Sequence, residues 1–141
     1  MKIRKGVLFS FLLVAGLSFV GFSPQSYAAK QKKNLIDDSS LDCSGSTVGK
    51  VIVVKKGSDV IVKVKITNGI PNEACGVFWV CSNGGCRDGN GNCSLRLGET
   101  TMNGSGKGKF KWKGSIPFEG RVYFDISGTA GVYYSGVFDA P

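Results

Sequence analysis

The feature that most constrains the fold is a strict two-residue alternation that begins at residue 60. Every even position from Val60 to Ile66 is a β-branched aliphatic residue, and Lys63 and Lys65 stand between them. Successive side chains of a strand point to opposite faces, so this pattern predicts a half-buried β-strand with its even positions inward. A helix would need apolar spacings of three and four, and no stretch shows that period convincingly. The chain is therefore expected to be all-β.

Other segments also have β-strand character, and turns rich in Gly and Asn separate them. The predicted strands cover 50–55, 60–66, 75–81, 94–97, 107–113, 121–126 and 132–138. Cys75–Cys81 is apolar on both faces, which is typical of a central strand, and Gly128–Gly131 fits a hairpin connection. About seven short strands at this spacing predict a β-sandwich, or else a small barrel.

The predicted core consists of inward residues of these strands. They are Val60, Val62, Val64, Ile66, Phe78, Val80, Phe110, Trp112, Val122, Phe124, Ile126, Tyr134 and Phe138. A chain of 141 residues fits one domain and can bury enough apolar surface to fold alone.

The order of turns and strands over about residues 48–138 resembles that of bacterial extracellular Ig-like β-sandwich modules. The segments that carry the resemblance are 62–72, Leu97-Gly98 followed by Thr100-Thr101, 103–110 and 122–126. It implies an Ig-like sandwich of about seven strands and no particular ligand, since one sandwich architecture hosts many functions. The Cys75–Cys93 segment departs from such modules, so an individual function could lie in that loop.

The N-terminal segment has the order of a secretory signal peptide. A positively charged start precedes an apolar run over 7–22, and the small-x-small triplet 26–28 follows Pro24. This order predicts cleavage between Ala28 and Ala29; the alternative is an uncleaved membrane anchor. After cleavage, 15 cationic and 10 acidic residues would remain, a net charge of +5.

The expected domain organisation follows from that cleavage. Residues 1–28 form the signal peptide, 29–47 a polar and mobile N-terminal leader, and 48–141 the sandwich domain. The mature protein is expected to be secreted and extracytoplasmic, without a transmembrane segment.

The cysteines fit an oxidising compartment, where disulfides are the default. The five are Cys43, Cys75, Cys81, Cys86 and Cys93. Four of them fall within Cys75–Cys93, around and inside the Gly/Asn-rich loop 82–92. Bonds there would staple a loop that has almost no apolar residues, but the sequence leaves the pairing open. Structural zinc is the alternative, although the spacings differ from those of zinc modules and the chain has no His. We expect a monomer, or a dimer linked through an unpaired cysteine, with Cys43 as the candidate.

The spacing of six lysines predicts a basic face on the sheet. Lys107, Lys109, Lys111 and Lys113 occupy every second position, as do Lys63 and Lys65. If their strands are neighbours, the six ammonium groups share one face, which could bind an anionic polymer of the cell surface. The alternative is that these lysines solvate the face and guard an edge strand. Nucleic acid is not the expected partner, because Phe110 and Trp112 alternate with the lysines and point inward.

The loop that follows Cys86 is the second candidate binding element, with Arg87, Asp88 and Asn90 as its candidate residues. From Asp88 to Glu99 the chain matches several ligand positions of an EF-hand calcium loop, but Cys93 replaces the essential Gly. Asp, Asn and Gly also dominate tight loops for their backbone freedom, so we expect a stapled hairpin and no metal.

The composition argues against catalysis. The absence of His removes the usual general base and the commonest metal ligand, and no pair of carboxylates forms a motif. We expect neither an enzyme nor a cofactor, but a binding module for an anionic envelope polymer. The alternative is a secreted effector (a small toxin, antimicrobial protein or enzyme inhibitor) that acts on a protein target through the Cys75–Cys93 loop.

Overall fold

The computed structural model describes residues 29–37, 44–82, 93–117 and 120–139, and these residues form eight antiparallel strands and no helix. The strands are β1 (Lys30–Asp37), β2 (Ser46–Lys56), β3 (Asp59–Ile66), β4 (Ala74–Cys81), β5 (Ser94–Thr101), β6 (Gly108–Ser115), β7 (Val122–Ser127) and β8 (Val132–Ser135). The prediction of an all-β fold is confirmed, with one strand more than expected.

All eight strands belong to one continuous sheet, in the order β5-β4-β7-β8-β1-β2-β3-β6. The two end strands approach each other, and the Thr100 hydroxyl on β5 donates to the Lys109 carbonyl on β6 over 3.1 Å. The sheet thus curls nearly into a barrel. The Ig-like sandwich is not confirmed, because β1 pairs with both β8 and β2 and joins what would otherwise be two sheets.

Strand β1 differs from the mobile leader that the sequence predicts for residues 29–47. It pairs with β2 from Lys30 to Asp37, and β2 itself begins at Ser46. The buried side chain of Leu35 joins the core, whereas Lys30 and Lys32 are exposed. The two apolar residues of β1, Leu35 and Ile36, are adjacent and so give no two-residue period to read as a strand, yet two neighbouring strands supply the backbone hydrogen bonds.

The core fills the inside of the curved sheet. Trp79, Phe124 and Phe138 pack edge to face at its centre, with ring centroids 5.3 and 5.5 Å apart. Eight predicted core residues are buried there, and Phe110 and Trp112 are half-buried against them. The eight are Val60, Val62, Val64, Ile66, Val122, Phe124, Ile126 and Phe138.

Three predicted core residues lie outside this core. Val80 and Tyr134 are buried in a separate cluster with Tyr123, and Phe78 packs against that cluster. On β4 it is the odd positions, including Trp79, that belong to the main core. The sequence could not show this parity, because a segment that is apolar on both faces carries no two-residue period.

A buried carboxylate ties two connections of the sheet together. Glu73 lies between β3 and β4, and its Oε1 accepts hydrogen bonds from the backbone N–H groups of Ala130 (2.6 Å) and Gly131 (2.9 Å) in the β7–β8 hairpin. The Tyr133 hydroxyl accepts a hydrogen bond from the Ile70 N–H over 2.9 Å. These bonds satisfy donors that the turns would otherwise leave unpaired.

Candidate functional site

Pairing between β3 and β6 brings the predicted lysines onto one outer face. Lys63 lies directly opposite Lys111, and Lys65 lies opposite Lys109. The intervening residues point to the other face: the inward residue Val62 lies opposite Trp112, which also points inward. Directly opposite residues have Cβ atoms about 4.5–5.5 Å apart, so the stems of each lysine pair start close together.

Three further lysines extend this face across β2 and β1. Lys50 lies opposite Lys65, and Lys32 and Lys30 lie opposite Ile52 and Val54, which also point outward. We call the resulting surface of the described strands the lysine face. It consists of Lys30, Lys32, Lys50, Lys63, Lys65, Lys109, Lys111 and Lys113.

The sequence reasoning missed Lys30, Lys32 and Lys50. Lys30 and Lys32 are two residues apart, as outward residues of a strand are, but they lie in the segment interpreted as a polar leader. Lys50 opens the β-branched run of β2, and only the register with β3 shows that it lies beside Lys65. Parity within a strand is local information, whereas register between strands is not.

Charge on the lysine face is almost uncompensated. Asp59 forms an ion pair with Lys113 over 3.2 Å at one end of the face. The other seven lysines form no ion pair with any residue that the structure describes. Lys63 and Lys111 therefore repel each other, as do Lys65 and Lys109, because like charges on directly opposite residues destabilise a sheet.

The floor of the lysine face is aliphatic. Lys50, Ile52, Lys63, Lys65, Lys109 and Lys111 are among the residues that line an open concavity of about 390 Å³. Ile52, Val54 and Ile61 point outward between the lysines. Lysine stems cover such apolar surface while their ammonium groups stay in water.

Lys107 lies at the end of the six-lysine arrangement that the sequence predicts and precedes β6, which begins one residue later, at Gly108. It lines a second concavity, of about 620 Å³, where β3 and β5 end and β6 begins. We call this the corner concavity. Its lining comprises Lys65, Ile66, Thr67, Thr101, Asn103, Lys107, Gly108 and Lys109.

The cysteines are placed in part. Cys81 and Cys93 form a disulfide that closes the loop between them. Cys75 is buried with a free thiol, and burial together with the nearby charges of Glu73 and Asp125 raises its pKa to about 11. A thiol with so high a pKa is a poor nucleophile at neutral pH.

Several predicted site residues lie outside the described ranges. They are Cys43, Cys86, Arg87, Asp88 and Asn90, so the calcium and zinc alternatives for the loop stay untested, as does the signal peptide. Within the described ranges, no group of three or more Cys, Asp or Glu side chains could hold a metal ion. The same ranges contain no helix long and apolar enough to span a membrane.

No protein-family model, curated protein or solved structure gives a significant match to this chain.

Proposed function

We propose that this chain is a secreted, non-catalytic binding module that recognises an anionic cell-surface polymer through the lysine face. The observation that carries the proposal is the pairing of Lys63 with Lys111 and of Lys65 with Lys109. These two adjacent like-charge pairs lower the stability of the free protein. A polyanion that lies across them would turn that repulsion into attraction.

Protection of an edge strand explains this arrangement less well. Edge-guarding lysines belong on the outermost strand of a sheet, and β6 is such a strand. However, β3 lies between β2 and β6, and β2 lies between β1 and β3. Lys50, Lys63 and Lys65 therefore guard no edge, and binding gives them a role.

The spacing of the lysines suits an extended polymer. Lys109, Lys111 and Lys113 follow one another at about 6.6–6.8 Å along β6, twice the rise per residue of a strand. Neighbouring strands lie about 4.7–4.9 Å apart, so the face is a lattice of positive charge. A single small anion would neutralise only a few of these lysines, whereas a polymer with repeated charges can extend along the whole face.

The chemistry of the face supports binding without catalysis. The whole chain lacks His, and the one described carboxylate on this face, Asp59, is engaged by Lys113. The aromatic rings of Phe110 and Trp112 are on the inner side of β6 and offer no stacking platform for bases. A secreted acidic polymer is therefore a better partner than nucleic acid.

The Ig-like resemblance stays a prediction that rests on strand rhythm. Continuous pairing from β5 to β6 favours a small barrel instead. Secretion likewise rests on the signal-peptide pattern, and the Cys81–Cys93 disulfide is consistent with an oxidising compartment.

The test measures binding of the protein comprising residues 29–141 to glycerol-phosphate teichoic acid, polygalacturonate and neutral dextran. Binding to a polyanion should weaken steeply between about 50 and 500 mM salt, because counterions compete for the lysines. Replacing Lys63, Lys65, Lys109 and Lys111 by Gln should abolish it.

A matched control changes the net charge equally outside the face, with Lys33, Lys55, Arg96 and Arg121 replaced by Gln; Lys55 lies opposite the inward residue Val60. This control should keep most of the affinity. Equal losses in both variants would reduce the effect to net charge and overturn the proposal, as would an absence of polyanion binding by the unaltered protein. Loss of binding only when residues 87–92 are replaced by Gly and Ser would assign the function to the loop.

A further inference from the structure

The corner concavity differs from the rest of the lysine face in its shape and its chemistry. Three lysines, Lys65, Lys107 and Lys109, line a space of about 620 Å³ at one end of the face. None of the described residues in its lining is a carboxylate. A volume of this size is typical of sites for small molecules rather than for single ions.

Asn103 presents a fixed donor to this space. Its Oδ1 accepts three hydrogen bonds, from the backbone N–H groups of Ser105 (3.0 Å) and Lys107 (3.0 Å) and from the Ser105 hydroxyl (2.9 Å). These bonds determine which end of the amide is the oxygen, so the Nδ2 group is the end left for a ligand. That group donates to no residue that the structure describes.

The hydroxyl groups in the lining belong to Thr67 and Thr101. Thr67 donates its proton to the Val48 carbonyl over 3.0 Å, which fixes the position of its oxygen. Its remaining lone pairs can accept a hydrogen bond from a ligand hydroxyl. The concavity thus combines positive charge with groups that recognise an alcohol.

Backbone hydrogen bonds hold the loop that carries Asn103 and Lys107. Asn103 N–H donates to the Lys107 carbonyl over 2.9 Å, and Gly106 N–H donates to the Asn103 carbonyl over the same distance. Gly69 N–H donates to the Gly106 carbonyl over 2.8 Å and ties the loop to the segment after β3. A loop that is ordered before binding loses little entropy when a ligand arrives.

We infer that the corner concavity binds a phosphoryl group together with the sugar or polyol that carries it. Three ammonium groups suit the charge of a phosphate monoester, about −1.5 to −2, better than the single charge of a carboxylate. For the same reason they suit a monoester at the end of a polymer better than a singly charged diester within it. The Asn103 amide adds directed donors for its oxygens, and the remaining volume and the Thr67 oxygen accommodate the alcohol portion. The inference deepens the proposed function by assigning the polymer to the phosphate class. The concavity shares Lys65 and Lys109 with the lysine face and adds Asn103, Lys107 and Thr67, which do not belong to that face.

The test follows the Asn103 side-chain amide and the Lys107 backbone amide by NMR. The protein comprising residues 29–141 is titrated with inorganic phosphate, glycerol 1-phosphate, glycerophosphoglycerol and acetate. Both resonances should shift most with glycerol 1-phosphate, the more highly charged probe, and acetate should have little effect. A response to the monoester alone would indicate recognition of a chain end, and a response to the diester would indicate recognition of an internal unit.

Two variants locate the site. Lys107→Gln should weaken the affinity for the phosphorylated probe about tenfold, the usual effect of losing a hydrogen bond to a charged group. Asn103→Asp keeps oxygens that can accept the loop's hydrogen bonds but places a negative charge where the donor was, so it should abolish binding. The double variant Lys63→Gln/Lys111→Gln changes the lysine face outside the concavity and should leave the probe affinity nearly unchanged.

The outcomes separate this inference from the proposed function. If no phosphorylated probe shifts the two resonances while the polymer still binds to the lysine face, the phosphoryl site is wrong and the polymer proposal stands. If the small probes bind at Asn103 but no polymer binds, the polymer proposal is wrong and the phosphoryl site stands. An equal response to acetate would overturn the assignment to phosphate.

Discussion

Lys63 on β3 and Lys111 on β6 lie directly opposite each other on the outer face of the sheet, and neither forms an ion pair with a described residue. The next outward pair along the same strands, Lys65 and Lys109, repeats the arrangement. Such contacts reduce stability by amounts similar to what opposite charges would add, about 0.2–1 kcal/mol each. The lysine face therefore combines a stability cost with a surface suited to anions.

Lys111→Gln should raise the free energy of unfolding and lower the affinity for the polymer. Removal of one charge relieves the repulsion with Lys63, so the gain in low salt should be a few tenths to about 1 kcal/mol. It should shrink in high salt, where the repulsion is screened. Urea unfolding at both salt concentrations measures the effect. Lys113→Gln is the control and should give no such gain, because it removes the ion pair with Asp59; a Lys111→Gln protein less stable than the unaltered one would contradict the prediction.

Glu73→Ala should destabilise the protein by at least about 2 kcal/mol. The change leaves the backbone N–H groups of Ala130 and Gly131 without their acceptor, and each buried donor left unsatisfied costs about 1–3 kcal/mol. Glu99→Ala provides the comparison, since Glu99 is exposed and its ion pair among the described residues is with Arg96 on the surface; it should change stability by less than about 1 kcal/mol. Similar denaturation midpoints for the two variants would show that the Glu73 contacts are dispensable.

The sequence allowed the strands of the lysine face to be predicted because their patterning is local. Alternation over β3 and β6 places Lys63 and Lys65, and likewise Lys109 and Lys111, on one side of each strand without knowledge of the fold. Which strands are neighbours depends on contacts between residues distant in sequence. The register that places these lysines opposite one another is therefore known only from the structure. Lys50 shows the same limit, since only its pairing with Lys65 adds it to the face.

Strand β1 and the corner concavity could not be predicted for a different reason. β1 has one buried apolar side chain, Leu35, and its place depends on the hydrogen bonds that β2 and β8 offer. The concavity is formed where three strand ends meet, and its key donor, Asn103, stands in a segment whose residues are common in any turn. Turn composition predicts a change of direction but not the surface that the turn creates.

Cys75 should resist alkylation in the folded protein and react after unfolding. Its side chain is buried, and its pKa is raised to about 11 by burial and by the negative charges of Glu73 and Asp125. Mass spectrometry after exposure to iodoacetamide at pH 8, with and without urea, measures this directly. Rapid modification of Cys75 without denaturant would show that the core opens there.

The raised pKa of Cys75 also predicts a dependence of stability on pH. The thiol ionises near its ordinary pKa of 9.0 in the unfolded chain but only near 11 in the folded protein. Unfolding therefore releases a proton between these values, and the free energy of unfolding should fall as the pH rises, by up to about 1.4 kcal/mol per unit. The difference between the unaltered protein and Cys75→Ala isolates this effect from lysine titration. This difference in the free energy of unfolding should decrease steadily from pH 8.5 to about 10.5, and a constant difference would argue against the shifted pKa.

Reduction of the Cys81–Cys93 disulfide should lower the free energy of unfolding by about 3 kcal/mol, the entropic effect expected for a loop of this length. Cys81 is the last residue of β4, and its N–H donates to the Cys93 carbonyl over 3.0 Å. The double variant Cys81→Ala/Cys93→Ala should reproduce the effect without reductant. If it is as stable as the oxidised protein, the hydrogen-bonded strand ends hold the loop without the covalent bond.

Gly106→Ala should destabilise the protein more than Gly57→Ala and should also weaken binding at the corner concavity. Both glycines have positive φ, 72° and 63°, so both substitutions bear the cost of the left-handed region, about 1–2 kcal/mol. A Cβ at Gly106 would additionally overlap the Gly69 carbonyl oxygen, whereas nothing lies within 4 Å of one at Gly57. Because the Gly106 N–H donates to the Asn103 carbonyl, displacement of Gly106 should shift the Asn103 side-chain amide in NMR spectra and reduce the response to glycerol 1-phosphate. Equal destabilisation by the two substitutions, with an unchanged response to the probe, would mean that the loop adapts and that its rigidity does not contribute to the site.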